Sequence, residues 1–208
     1  ELQWEPLVRV TGEEINFFSK YGAATKENVI QFLTFDAEYG NSILSCLRAA
    51  RENARGVRET LPADMWEQVN TFYLMVNEAA QCPPHPDSLY GFFKRIIQES
   101  YEFSGMVATT MPHEEPWHFC RLGSMIERAD KTSRILDVKY FYLLPSVEDV
   151  GSPLDQVQWA ALLRSASALQ AYRQHYGVIS PGNIIQYLLL GRDSPRSVRF
   201  CVECAMSS

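Results

Sequence analysis

The residues best equipped for chemistry fall in one stretch, where Arg121, Glu127, Arg128, Asp130, Arg134 and Asp137 punctuate apolar side chains and His118 stands at the start. Their spacing fits a helix, and two kinds of chemistry are open to them. As a solvated face, Glu127 with Lys131 and Asp130 with Arg134 make four-residue ion pairs, each worth about 0.2–0.5 kcal/mol. As a buried network, Glu127 and Arg128 would be costly unless every charge were partnered, so burial would imply a specific role at an interface. At about 100° per residue, Phe119, Leu122, Ile126, Ala129, Leu136 and Tyr140 form one apolar face, with Glu127, Lys131 and Arg134 nearly opposite. Asp130 and Asp137 sit on one border of that stripe, Arg121 and Arg128 on the other. Spacing alone leaves both readings open.

Other constellations are incomplete. His113-Glu114-Glu115-Pro116-Trp117-His118 partly matches a zinc-protease helix, but its histidines are five apart and Pro116 breaks the turn between them. Glu115 and His118 make one Glu-x-x-His pair, where a carboxylate-bridged di-metal bundle needs two such pairs and two further glutamates. Cys201-x-x-Cys204 has no second pair at ligand spacing, so small core residues are the simpler reading. No metal and no cofactor is expected. Neither a glycine-rich phosphate loop nor a nucleophile elbow is present. Ser194-Pro195-Arg196-Ser197 reads as a loop entering a helix, with Ser194 or Ser197 as cap. Arg196 and Arg199 beside it are candidate contacts for an anion or a partner.

Helices must position these groups. Apolar residues recur at three- and four-residue steps, as in Ile43, Cys46, Leu47, Ala50, Ala54, Val57 and Leu61. A second helix opens behind Pro62 with Trp66, Val69, Phe72, Tyr73, Val76 and Ala80, and Cys82-Pro83-Pro84-His85-Pro86 ends it. The pattern Phe92, Phe93, Ile96, Ile97, Phe103 and Val107 then runs to Met111-Pro112. After Pro116 one very long helix is expected from Trp117 to roughly Leu144, closed by Pro145 and by the linker Gly151-Ser152-Pro153. Strand-type alternation is missing, so the fold class is all-α, a multi-helix bundle.

The chain also repeats itself. Leu2-Gln3-Trp4 returns as Val157-Gln158-Trp159, Arg9 as Arg164, Tyr21-Gly22 as Tyr176-Gly177, and Asn28-Val29-Ile30-Gln31-Phe32-Leu33 as Asn183-Ile184-Ile185-Gln186-Tyr187-Leu188. Ser42, Cys46 and Ala50 match Ser197, Cys201 and Ala205 in the same register, at an offset of about 155 residues. Self-similarity at long period implies tandem copies of one multi-helix unit that bury their stripes against each other. In a single helical region spanning 1–208, residues 1–144 then hold most of repeat one plus the Glu-Arg helix that opens repeat two. Residues 153–208 hold the remainder of a truncated repeat two. The expectation is a fragment, with the first copy's Glu-Arg helix before Glu1 and apolar surfaces at both cut ends.

Composition narrows the partners. A formal charge of −6 without a dominant basic tract argues against nucleic acid. No apolar run approaches the roughly 18 residues needed to span a bilayer. Five cysteines, Cys46, Cys82, Cys120, Cys201 and Cys204, fit reduced thiols in a cytoplasm.

The segment Trp117-His118-Phe119-Cys120-Arg121-Leu122-Gly123, followed by Glu127-Arg128-Ala129-Asp130-Lys131-Thr132-Ser133-Arg134-Ile135-Leu136-Asp137, resembles the signature of the bacterial alpha-E family, named for its helices and its Glu-Arg motif. The resemblance extends to Leu2-Gln3-Trp4-Glu5-Pro6-Leu7, Asn41-Ser42-Ile43 and Ser194-Pro195-Arg196-Ser197-Val198-Arg199-Phe200, and covers essentially the whole chain. It implies a wholly helical protein with no established reaction, encoded near ATP-grasp-type ligases and transglutaminase-like peptidases. The expected role is an accessory or scaffold module beside peptide or amide-bond chemistry. The alternative is a catalytic or substrate-binding subunit whose Glu-Arg-Asp site is completed by an N-terminal helix outside this sequence.

Overall fold

Prolines, serine caps and glycines set most of the helix boundaries. The computed structural model describes residues 4–141 and 150–208, and its described residues form eleven α-helices, a π-helical turn and two 3-10 turns, with no strand among them. In chain order the helices are α1 (Glu5–Arg9), α2 (Glu14–Tyr21), α3 (Lys26–Ile30), α4 (Ile43–Gly56), α5 (Ala63–Gln81), α6 (Leu89–Thr110), α7 (Glu115–Phe141), α8 (Pro153–Ser165), α9 (Leu169–Tyr176), α10 (Pro181–Leu190) and α11 (Val198–Met206). The all-α expectation holds. Two compact units result, one from Glu1–Ala24 with His118–Ser208 and the other from Thr25–Trp117.

In the Thr25–Trp117 unit, Thr25 caps α3 by accepting from the Asn28 amide, and the chain continues into the π turn Gln31–Phe35. Phe35, Leu44, Phe72, Val76 and Ala79 form the core, with Phe92 and Ile96 of α6 packed against it. Two polar ties link the helices: Arg51 Nε donates to Asn70 Oδ1 at 2.7 Å, and Gln68 Nε2 donates to Glu99 Oε2 at 2.7 Å. The apolar pattern of α4 overruns its helix. Coiling stops at Gly56, Val57 leaves helical geometry at φ −127°, and Leu61 lies in the turn ahead of Pro62. α5 starts directly behind Pro62 and α6 stops before Met111-Pro112, as the missing proline donor requires.

In the other unit, Trp159, Leu162 and Leu163 of α8, Tyr172 of α9, and Ile184 and Leu188 of α10 surround Leu136 of α7. Ser152 caps α8 by accepting from the Asp155 amide at 3.1 Å. The end of α8 closes through Ser167 at φ 53°, with the Ala168 amide returning to the Leu163 carbonyl at 2.8 Å.

α7 is where the sequence pattern misleads. It begins at Glu115, two residues before the expected start, with Pro116 in its first turn, where a missing amide donor does no harm. The expected end near Leu144 and Pro145 lies outside the described residues. The apolar face of the sequence pattern is exposed at half of its six positions: Phe119, Ile126 (57% exposed) and Tyr140 face solvent, and Leu136 alone of its large side chains is buried. The covered residues are Thr132, Leu136, Val138 and Lys139. The packed side is centred about a quarter turn from the apolar stripe, because its polar members are satisfied by specific partners.

Local structure recurs at the spacing of the sequence repeat. α2 and α9 correspond at both ends 155 residues apart, and so do the Lys26–Phe35 stretch and α10. Gly22 and Gly177 follow α2 and α9 at φ 74° and 73°. Phe17 stacks on Tyr21 at 5.2 Å, and Tyr172 on Tyr176 at 5.0 Å. Ser42 and Ser197 each cap the next helix through their side-chain oxygens.

Candidate functional site

The middle of α7 faces the loop between α10 and α11. Thr132 donates its hydroxyl to the Arg196 carbonyl at 3.0 Å, and Arg128 Nη1 donates to the Pro195 carbonyl at 3.2 Å. These bonds pair backbone carbonyls of the loop with side chains of α7. The loop is fixed from its other side as well. Ser197 accepts from the Phe200 amide at 3.0 Å and donates to the Gly191 carbonyl, and the Cys201 thiol lies 3.7 Å from the Pro195 carbonyl. Gly191 has no room for a side chain, since a Cβ there would meet the Tyr187 carbonyl oxygen at 2.5 Å. Sequence reasoning offered Ser194 or Ser197 as cap; Ser197 is the one that caps.

A groove of about 300 Å³ opens beside this contact, lined chiefly by Glu127, Arg128, Lys131, Thr132, Ser165 and Arg196. Its one carboxylate, Glu127, is 64% exposed and pairs with Lys131 Nζ at 3.0 Å. Glu127 is thus solvated, as in the face reading of the sequence, while Arg128 is half-buried and tied to a carbonyl. Arg196 projects into the same groove. Both arginines act on Cys201: burial pushes its thiol above the usual range, and the charges of Arg128 and Arg196 offset only part of that rise.

The remaining candidates lie elsewhere. Asp130 and Arg134 pair through Arg134 Nε at 2.8 Å, and Arg134 Nη1 reaches the Thr11 carbonyl at 3.5 Å, so this couple braces the α1–α2 turn. Asp137 is exposed on α7, and Arg121 and His118 are half-buried nearer its start. Arg199 pairs with Glu203 along α11 at 2.7 Å. None of these six candidates lines the groove.

Sequence reasoning missed a buried charge pair. Lys139 Nζ lies 2.6 Å from Asp155 Oδ1, with side chains only 1% and 3% exposed. Gln158 Oε1 accepts from the same ammonium at 2.9 Å, the Gly151 amide donates to Asp155 Oδ2 at 2.9 Å, and the Trp159 ring sits 5.2 Å from Nζ. Burial by itself raises the Asp155 carboxyl. The hydrogen bonds from Lys139 and Gly151, with the ammonium's charge, outweigh it and hold the carboxyl below the ordinary range. The Trp159 indole adds to that pull, although its Nε1 closes no well-aligned hydrogen bond. One signal was available: Ser152-x-x-Asp155 is a capping-box spacing that places the carboxylate in the first turn of α8.

Among the described residues, no three His, Cys, Asp or Glu side chains gather as a metal site, and no helix is long and apolar enough to cross a membrane. A family model, Alpha-E, described as a predicted alpha-helical domain with a conserved ER motif, matches residues 1–208. Comparison with curated proteins gave no match, and comparison with solved structures gave none. Glu127-Arg128 is the one Glu-Arg dipeptide in the sequence, and it lies at the lip of the groove.

Proposed function

The chain belongs to the Alpha-E family, and from that premise we propose that it is a non-catalytic docking or scaffold module, with the Glu127-Arg128 groove as its contact surface. The observation that carries this reading is the division of labour along α7. Arg128 and Thr132 hold the Pro195-Arg196 carbonyls, and Glu127 and Lys131, one turn apart, stand outward beside them. A rigid, mixed-charge surface of this kind suits recognition, where complementary charges set orientation and association rate. The partners are an ATP-grasp-type ligase and a transglutaminase-like peptidase acting in peptide or amide-bond modification, in a bacterial cytoplasm where the free thiols stay reduced. The recurrence of helix bounds, caps and ring stacks at one spacing supports tandem copies of a single helical unit as the origin of the scaffold.

Co-expression with such a ligase tests the proposal. A complex should form, and Glu127→Arg should weaken it while leaving helicity intact. Turnover of a peptide substrate by the chain alone would remove the scaffold reading. A second reading, a substrate-binding subunit, is favoured by the three cations of the groove, and would be carried by loss of turnover in a Glu127→Gln variant of an active complex.

A further inference from the structure

We infer that the groove is an oxyanion site, in which Arg128 and Arg196 grip a single carboxylate or phosphoryl group. The inference deepens the docking reading and rests on the same surface. Lining the groove are three cations, Arg128, Lys131 and Arg196, against one carboxylate, Glu127, in a chain whose formal charge is −6. Lys131 and Glu127 answer each other at 3.0 Å. The two guanidiniums are left with positive charge and unfilled donors.

A guanidinium carries several N–H groups in a planar fork that matches the two oxygens of a carboxylate or phosphate. Arg128 gives one of them to the Pro195 carbonyl. The side chain of Arg196 closes no hydrogen bond or ion pair among the described residues, although the residue is half-buried. The Arg196 guanidinium therefore meets the groove with donors that no protein acceptor fills. An incoming oxyanion would supply the acceptors.

Both arginines are held before a ligand arrives. Arg128 stands in the interior of a long helix, and Arg196 stands on a loop whose Pro195 and Arg196 carbonyls are bonded to that helix and whose far end is locked by the Ser197 cap. Preorganisation of this kind lowers the entropy lost on binding. With about 300 Å³ of room, the groove is at the small end of ligand pockets, so it takes the anionic head of a ligand. Two sources share that chemistry, a free phosphate and the carboxylate terminus of a peptide.

Titration of the full 208-residue chain at low salt separates them, with inorganic phosphate in one arm and N-acetylglycine, as a peptide-terminus mimic, in the other. The inference expects saturable binding of at least one probe, with amide shifts confined to residues 127–132 and 194–197. Arg196→Gln should weaken that binding by roughly tenfold or more, the size expected for losing a charge-assisted pair, and Arg196→Lys should restore only part of it. Lys94→Gln, an exposed cation on the other unit, should change nothing. Absence of saturable binding to either probe, an unchanged Arg196→Gln, or an equal loss in Lys94→Gln overturns the inference. Since no partner protein is present, failure here leaves the docking reading standing, and failure to form the ligase complex leaves this result untouched.

Discussion

Replacing Asp155 by Asn should destabilise the Lys139 end of α7 strongly, and the structure sets the size of the effect. In the native chain the Lys139 ammonium, 1% exposed, has Asp155 at 2.6 Å and Gln158 Oε1 at 2.9 Å. The substitution removes the counter-charge but leaves the Gln158 carbonyl, the new amide oxygen and the Trp159 face. Removing one partner of a buried pair costs about 3–5 kcal/mol, and the remaining acceptors place this case near the lower end, at about 3 kcal/mol. Set against a total stability of about 5–15 kcal/mol for a folded domain, such a loss is large. Replacing both members, Lys139→Met with Asp155→Leu, should recover most of it, because neither charge is then stranded.

Urea unfolding followed by circular dichroism at neutral pH reads both variants. The pH dependence supplies a second check. The folded state holds the Asp155 carboxyl below its ordinary value, so the folded chain favours the ionised form. The pair's contribution is therefore complete above the unfolded carboxylate value of about 3.9 and is lost as pH falls from there through the lowered folded value. Asp155→Asn should flatten the stability curve in that acid window. An Asp155→Asn protein within about 0.5 kcal/mol of the native chain at neutral pH, the range of an ordinary surface change, would refute the reasoning.

Three further outcomes follow from the same packing. Leu136→Ala, at an 8% exposed core position, should cost about 2–5 kcal/mol, whereas Ile126→Ala on the outward stripe should stay within about 0.5 kcal/mol; thermal melts of the pair decide whether α7 is turned as described. Ser197→Ala removes the α11 cap and the tie to Gly191 and should cost about 1–2 kcal/mol in urea unfolding. In thiol labelling, Cys46 and Cys82, both exposed, should react well before Cys201, which is buried and has its thiol pushed up, and raising the pH should speed Cys201 late.

Helix boundaries were legible because they depend on local chemistry. Pro62, Pro112 and Pro116 act through a missing amide and a fixed φ wherever they stand, and Ser42 and Ser197 cap through their own side chains. Local turns were legible for the same reason, since Tyr21-Gly22 and Tyr176-Gly177 each end a helix with a glycine at positive φ. The face of α7 was not. Periodicity counts apolar residues, and the packed side of α7 includes Thr132 and Lys139, whose partners lie on the Arg196 loop and on Asp155. No spacing rule sees an acceptor that far along the chain. Arg196 was visible as a loop arginine and Glu127-Arg128 as a motif, but their convergence depends on a tertiary contact between α7 and the α10–α11 loop.

That apolar stripe of α7 gives the docking account a rival surface. A smaller groove of about 210 Å³ between α7 and α11, lined by Leu122, Met125, Ile126, Cys201, Val202 and Met206, lies beside it. Amide hydrogen exchange on the complex with an ATP-grasp-type ligase distinguishes the two directly. Docking at the charged groove predicts new protection in the 191–197 loop, with little change at 202–206. Protection at 202–206 with an unaltered 191–197 loop would contradict it and move the contact to the apolar side.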